Sequence, residues 1–216
     1  MFNRNTLIVL LVAVAAALGL HLGGKLLDAP RDGNVAGIHS ITFYPQPRTL
    51  QDFNLAQPDG TRLIPGELQG HWTLVFLGFT TCPDICPTTL TEMAKAQNQW
   101  QNISDSLRPR LLFVSVDPER DSPTRLGDYV HAFHRDTLAA TADIPSLERF
   151  TTSLGLVFQK IPGEHFADNP NDYSMGHSAA IAVLDPQARL AGVITPPLDP
   201  QAIAADLIKL TQETTP

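Results

Sequence analysis

The chain has two cysteines, Cys82 and Cys86, in the stretch GFTTCPDICPTTL at residues 78–90, each followed by a proline. Residues four apart share one face of a helix, so both sulfurs can meet at one spot. Three chemistries fit such a pair: a structural disulfide, a redox couple, or two metal ligands. The staple is the weakest of these, because so short a loop constrains the unfolded chain little. A domain of this size does not need it. At the start of a helix, backbone N–H groups favour an anion, so a thiolate placed there is expected to have a lowered pKa. Pro83 and Pro87 suit that position, since first-turn amides have no intrahelical partner.

The elements around the pair support this placement. TLVFLGF (73–79) runs into the cysteines, and LLFVSV (111–116) follows later. Continuous apolar runs of this kind suit central strands covered on both faces. Between them Leu90, Met93, Ala96, Trp100 and Ile103 recur at helical spacing. A second helix is predicted after Pro123, with Leu126, Tyr129, Val130 and Phe133 on one face. A third, shorter one carries Leu147, Phe150 and Leu154. SAAIAVL (178–184) and LAGVIT (190–195), joined at Asp185-Pro186, read as an antiparallel pair. Asp199 then caps a last helix with Pro200 at its first position. Upstream, Pro58-Asp59-Gly60 marks the turn of a hairpin. A right-handed βαβ unit followed by a hairpin and a helix predicts one mixed α/β sheet flanked by helices, the thioredoxin-like arrangement, with an N-terminal β-hairpin added.

A chain of 216 residues can build one sizeable domain and a tail. The formal net charge of −7 argues against a nucleic-acid partner. From Asn5 to Gly24 no residue carries a formal charge, and LIVLLVAVAAALGLHLGG is long enough to cross a bilayer when counted through Gly24. GLHLGGKLL offers no clean cleavage site. Residues 1–27 are therefore read as one N-terminal transmembrane helix, with a cleaved signal segment as the alternative. Residues 28–48, mixed in Pro, Gly and polar residues, read as a tether, and residues 49–216 as the domain. The expected location is single-pass in the cell (inner) membrane, with the domain on the periplasmic, non-cytoplasmic side, where thiols can be oxidised.

GFTTCPDICP, VSVDPERDSP (114–123) and YSMGHSAAIAVLDP (173–186) occur in the order found in the Sco/SenC family, which the chain resembles over roughly residues 40–210. The family comprises membrane-anchored copper chaperones that assist assembly of the copper centre of cytochrome c oxidase. The resemblance implies that Cys82, Cys86 and His177 bind copper. Family members usually carry Asp immediately before that histidine, where this chain has Gly176. The chemistry agrees. Thiolates are soft donors that select Cu(I), and imidazole suits copper too. Structural zinc normally takes a fourth protein ligand, and none is obvious. An ordinary loop histidine, bonded to backbone, is the bland reading of His177.

Other residues carry two readings each. His131 and His134 form HxxH, either a metal pair or a solvated helix face. Met175 is an accessory soft ligand or a packing residue. Asp84 caps the cysteine turn or is a solvated charge. Asp117 orients the cysteine loop or starts a turn. His165, Asp168 and Asp172 precede His177 and either meet a partner or nothing.

Two functions compete. One is a copper carrier that exchanges ligands with the oxidase copper-binding subunit, receives its metal from an upstream copper donor and performs no turnover chemistry. The other is a thiol–disulfide oxidoreductase in which Cys82 and Cys86 reduce the oxidase's copper-site cysteines. Thioredoxin-type redox motifs place two residues between the cysteines, and this chain has three. A thiol peroxidase fits less well, because Phe79 stands where that family has Thr or Ser.

Overall fold

The computed structural model describes residues 37–213. In chain order the strands and helices are β1 (Thr42–Thr49), β2 (Leu55–Ala56), β3 (Arg62–Leu63), β4 (Thr73–Gly78), α1 (Ile85–Trp100), β5 (Arg110–Ser115), α2 (Pro123–His131), β6 (Leu138–Ala140), α3 (Ile144–Ser153), β7 (Phe158–Pro162), β8 (Tyr173–His177), β9 (Ile181–Leu184), β10 (Arg189–Ile194) and α4 (Pro200–Glu213).

The main sheet has the order β1-β10-β9-β4-β5-β6. β4, β5 and β6 run parallel, and β9, β10 and β1 are antiparallel to their neighbours. Every residue of β4 and β9 is buried. This is why their sequences show no alternation: both faces of the strand are covered. Phe76 and Phe113 sit opposite each other in the β4–β5 register and are fully buried. Removing either ring would cost about 3–5 kcal/mol, because a cavity adds to the lost transfer energy. Leu90, Met93, Ala96 and Trp100 form the buried stripe of α1, which packs beside α4.

The helix starts follow local chemistry. Ser122 Oγ accepts from Arg125 N, Asp143 Oδ1 from Ser146 N, and Asp199 Oδ1 from Gln201 N at 2.9 Å. Each cap precedes a proline, whose missing N–H costs nothing in the first turn.

Several strands differ from the sequence expectation. The expected hairpin is present as β2–β3, a separate two-stranded sheet. Residues 42–48, read as tether, belong to β1 and pair with β10. Pro45 and Pro47 disguised this strand; proline is tolerated there because β1 is an edge. β7 and β8 form a second antiparallel pair that the apolar pattern did not reveal. The strand expected from residue 178 starts at Ile181, because Ser178 is engaged with Val157 through N–H and hydroxyl contacts.

Ahead of β1, the chain is clasped to α4. The buried Asp206 Oδ2 accepts from His39 N at 2.9 Å and from Ser40 N and Oγ, each at 2.6 Å. Ile38 and Ile41 on either side are buried in the core. The membrane anchor expected over residues 1–27 lies outside the described residues. Among the described residues, no helix is long and apolar enough to cross a membrane.

Candidate metal centre

Strand β4 ends at Gly78, and the loop 79–84 delivers the chain to α1 with Cys86 in its first turn. Gly78 is needed for a spatial reason. A Cβ there would lie 2.4 Å from Phe113 Cε2 and 2.9 Å from Cys86 Sγ. With no side chain at 78, the Cys86 sulfur packs directly over the strand end. Cys86 is fully buried, whereas Cys82 is half-buried and faces a pocket of about 240 Å³. The two sulfurs are not bridged.

His177 enters from the end of β8. Strand alternation puts Tyr173, Met175 and His177 on one face. Sγ of Cys82, Sγ of Cys86 and a ring nitrogen of His177 all lie within 4.8 Å of one another. Cys86 Sγ is 3.6 Å from His177 Nε2. His177 Nδ1 lies 3.1 Å from the carbonyl oxygen of Ser178, which accepts a hydrogen bond when Nδ1 carries the proton. That tautomer leaves the Nε2 lone pair facing the sulfurs, which is how a ligating imidazole is held. The rings of Phe76 and Phe79 meet the imidazole edge-on, with centroids at 5.9 and 6.1 Å. They pack against its faces and fix its plane.

The electrostatics correct one expectation. Burial, reinforced by hydrogen bonding with Cys82, pushes the Cys86 thiol well above its ordinary range. The helix terminus does not outweigh desolvation there. Its amide serves the other sulfur: Cys86 N donates to Cys82 Sγ at 3.4 Å. Burial also holds the His177 imidazole below its usual pKa, so it is neutral and available as a donor.

The site's support lies in the turn after β5, which the sequence reading credited only through Asp117. Asp117 and Asp121 are both buried. Asp121 Oδ2 accepts from Thr80 N at 2.8 Å and from Ser115 Oγ at 2.6 Å, and its Oδ1 accepts from Thr80 Oγ1. This holds the cysteine loop. Asp117 serves the other half instead. Its Oδ1 accepts from Tyr173 OH at 2.7 Å, and its Oδ2 pairs with Arg120 Nε. Arg120 stacks on the Tyr173 ring at 3.7 Å and donates from Nη1 to the Tyr173 carbonyl at 2.9 Å. One turn therefore positions both the loop of Cys82 and the strand of His177. The sequence signal was present: buried strand residues followed at once by DPERD, too many charges to be only a turn.

The remaining candidates separate. Met175 lines the same pocket as Cys82 and His177 and is buried. Asp84 occupies the N-cap position of α1 but makes no cap hydrogen bond. His134 Nδ1 accepts from Asp136 N, and His131 ends α2. Asp172 Oδ2 accepts from His165 N at 2.6 Å and crowds Gly163, outside the cluster of Cys82, Cys86 and His177. Among the described residues, no carboxylate, thiol or second histidine joins the three donors, and HxxH forms no cluster of its own.

Fold and site together define a mixed α/β domain with a two-sulfur, one-imidazole centre. The SCO1/SenC family model matches residues 43–212, and the chain belongs to that family. A Stutzerimonas stutzeri protein named for copper binding is 31% identical over 159 residues, covering 74% of this chain and 75% of that one. The mitochondrial SCO1 homolog 1 of Arabidopsis thaliana is 32% identical over 136 residues, covering 62% of this chain and only 39% of its own length. Among solved structures, Bradyrhizobium japonicum ScoI with copper bound is 29% identical with a TM-score of 0.66, covering 75% of this chain and 99% of that one. Apo Sco1 from Thermus thermophilus is 30% identical with a TM-score of 0.71, covering 82% and 99%.

Proposed function

We propose that this protein binds one copper ion through Cys82, Cys86 and His177 and hands it to the copper centre of cytochrome c oxidase during assembly. The observation that carries the reading is the convergence of two sulfurs and one imidazole nitrogen within 4.8 Å, in a family with a relative solved with copper bound. Two thiolates and one imidazole make a soft, three-donor set suited to Cu(I), and among the described residues no fourth protein donor completes a tetrahedral zinc site. Cargo must also leave. The half-buried Cys82 is the sulfur that an incoming ligand reaches first. The expected setting is a domain held outside the cytoplasm by the apolar segment at residues 5–24, supplied by an upstream copper donor.

A second reading has its own observation. A reachable Cys82 beside a fully buried Cys86 is the arrangement of an attacking and a resolving thiol. Copper binding and disulfide formation use the same two sulfurs, so the two activities exclude each other at any instant.

The deciding experiment is anaerobic Cu(I) loading of the reduced chain against a competing chelator. One copper per chain is expected, lost in Cys82→Ser and in Cys86→Ser and weakened in His177→Ala. Normal loading of Cys86→Ser would refute the shared site. An unchanged affinity in His177→Ala would remove the imidazole and favour the oxidoreductase.

A further inference from the structure

Beside the metal centre runs a groove of about 480 Å³. Its walls are Ile85 and Thr88 on α1, Ala179 between β8 and β9, and the Pro196–Leu198 segment ahead of α4. Asp84 and Ile85 line both this groove and the pocket of Cys82 and His177, so the two are continuous. Ile85 stands between the cysteines and is 50% exposed, so an apolar side chain lies where the groove meets the pocket of Cys82 and His177. Asp84 carries a carboxylate that does not cap its helix. Glu92 on the same wall is answered by Lys95 at 2.7 Å. Asp84 is thus the anion left at the junction, on a chain whose formal net charge is −7.

We infer that this groove seats an extended segment of the protein that receives the copper: apolar side chains over Ile85 and Pro197, a Lys or Arg at Asp84, and thiols facing Cys82. The inference rests on the carrier reading above. Continuity with the metal pocket sets the distance, and charge complementarity at Asp84 sets the orientation. Each Cu–S bond to Cys82 or Cys86 that breaks is replaced by a Cu–S bond to an incoming thiolate, and the Cu–N bond to His177 breaks to leave a neutral imidazole and two-coordinate Cu(I) on the acceptor. The proton lost by the incoming thiol goes to the departing sulfur, and copper stays Cu(I).

The test uses the full chain and two short synthetic peptides, each with a pair of cysteines. One is flanked by Leu and Lys, the other by Ser and Glu. The Cu(I)-loaded chain is expected to pass metal to the Leu/Lys peptide at least about tenfold faster at sub-saturating concentration. Thr88→Trp fills the groove and Thr88→Lys repels the cation; both should bring the two rates together while chelator competition shows unaltered Cu(I) affinity. Equal rates in the wild type, or rates that ignore both variants, would overturn the proposal. Failure to load Cu(I) would instead strike the carrier reading. The groove then still stands or falls on the metal-free chain, with a fluorescent Leu/Lys peptide whose cysteines are replaced by serine: binding lost in Thr88→Trp upholds it, and no binding overturns it. Self-association of the chain that Thr88→Trp abolishes would assign the groove to a second copy and overturn the inference.

Discussion

Asp121 Oδ2 holds the amide of Thr80 at 2.8 Å, two residues ahead of Cys82. The same oxygen accepts from Ser115 Oγ on β5. A single buried carboxylate therefore fixes the cysteine loop to the neighbouring strand. Asp121→Ala would leave the part-buried Thr80 amide and two hydroxyls without their acceptor, at about 1–3 kcal/mol for each group that water cannot reach. The melting temperature of the metal-free protein is expected to fall by several degrees, at roughly 2–4 °C per kcal/mol for a domain of this size. Cu(I) affinity should fall as well, since the loop is no longer held. A melt unchanged from wild type would show that Asp121 is dispensable.

Gly78 sets the depth of Cys86. The clash of an added Cβ with Phe113 and the Cys86 sulfur has no cheap escape, because both neighbours are buried. Gly78→Ala is expected to cost about 1–3 kcal/mol, the usual penalty for overpacking. Denaturant unfolding would read the loss, and chelator competition the displaced sulfur.

The Gly176 position faces away from the cluster of Cys82, Cys86 and His177. A Cβ there would meet Ile161 Cδ1 at 3.0 Å and Gln159 Cγ at 3.5 Å, across the β7–β8 pair. His177 points to the opposite face and takes its orientation from the Ser178 carbonyl. Gly176→Asp is expected to leave Cu(I) affinity within about threefold of wild type, well short of the roughly 10–100-fold that a ligand's supporting partner commands. A larger gain under chelator competition would show that a carboxylate at 176 does reach the imidazole.

Copper uptake should depend on pH through the buried thiol. Burial favours the protonated form of Cys86, so metal must displace its proton. Apparent Cu(I) affinity is expected to rise with pH by up to about tenfold per unit for each proton released. Titrations in a weakly and a strongly protonating buffer would count the protons; none released would contradict thiolate ligation.

Stability of the metal-free protein should fall on acidification. His71 is buried with Nδ1 2.9 Å from the Arg108 carbonyl, and burial lowers its pKa below 6.5. Between that lowered value and 6.5 the unfolded chain binds more protons, so stability drops as pH falls through this window and is fully present above it. His71→Gln should flatten the acid limb of a plot of unfolding free energy against pH. An equally steep limb would assign the loss to other groups.

What was legible in the sequence was what long-range sterics make periodic or contiguous. β4, β5 and β9 read as apolar runs because both of their faces are covered, and α1 read from Leu90, Met93, Ala96 and Trp100 because one of its faces is buried. The edge strand β1 and the β7–β8 pair did not announce themselves. Their exposed faces tolerate Pro45, Gln159 and Lys160, so composition there carries little signal. Cys82, Cys86 and His177 were singled out by residue type and motif, and the structure brings the three together. The pairing of Asp117 with Tyr173 and of Asp121 with Thr80 was not, because spans of 56 and 41 residues close only in three dimensions.

The clasp of Asp206 on residues 39 and 40 moves the edge of this domain outward. The family match begins at residue 43, which invites a recombinant fragment trimmed to that point. Such a fragment would lose Ile38 and Ile41 from the core and strand a buried carboxylate whose amide and hydroxyl donors lie upstream. It would be prone to fray along α4 and to aggregate, for reasons unrelated to copper. A start at residue 37 or earlier retains the whole seal.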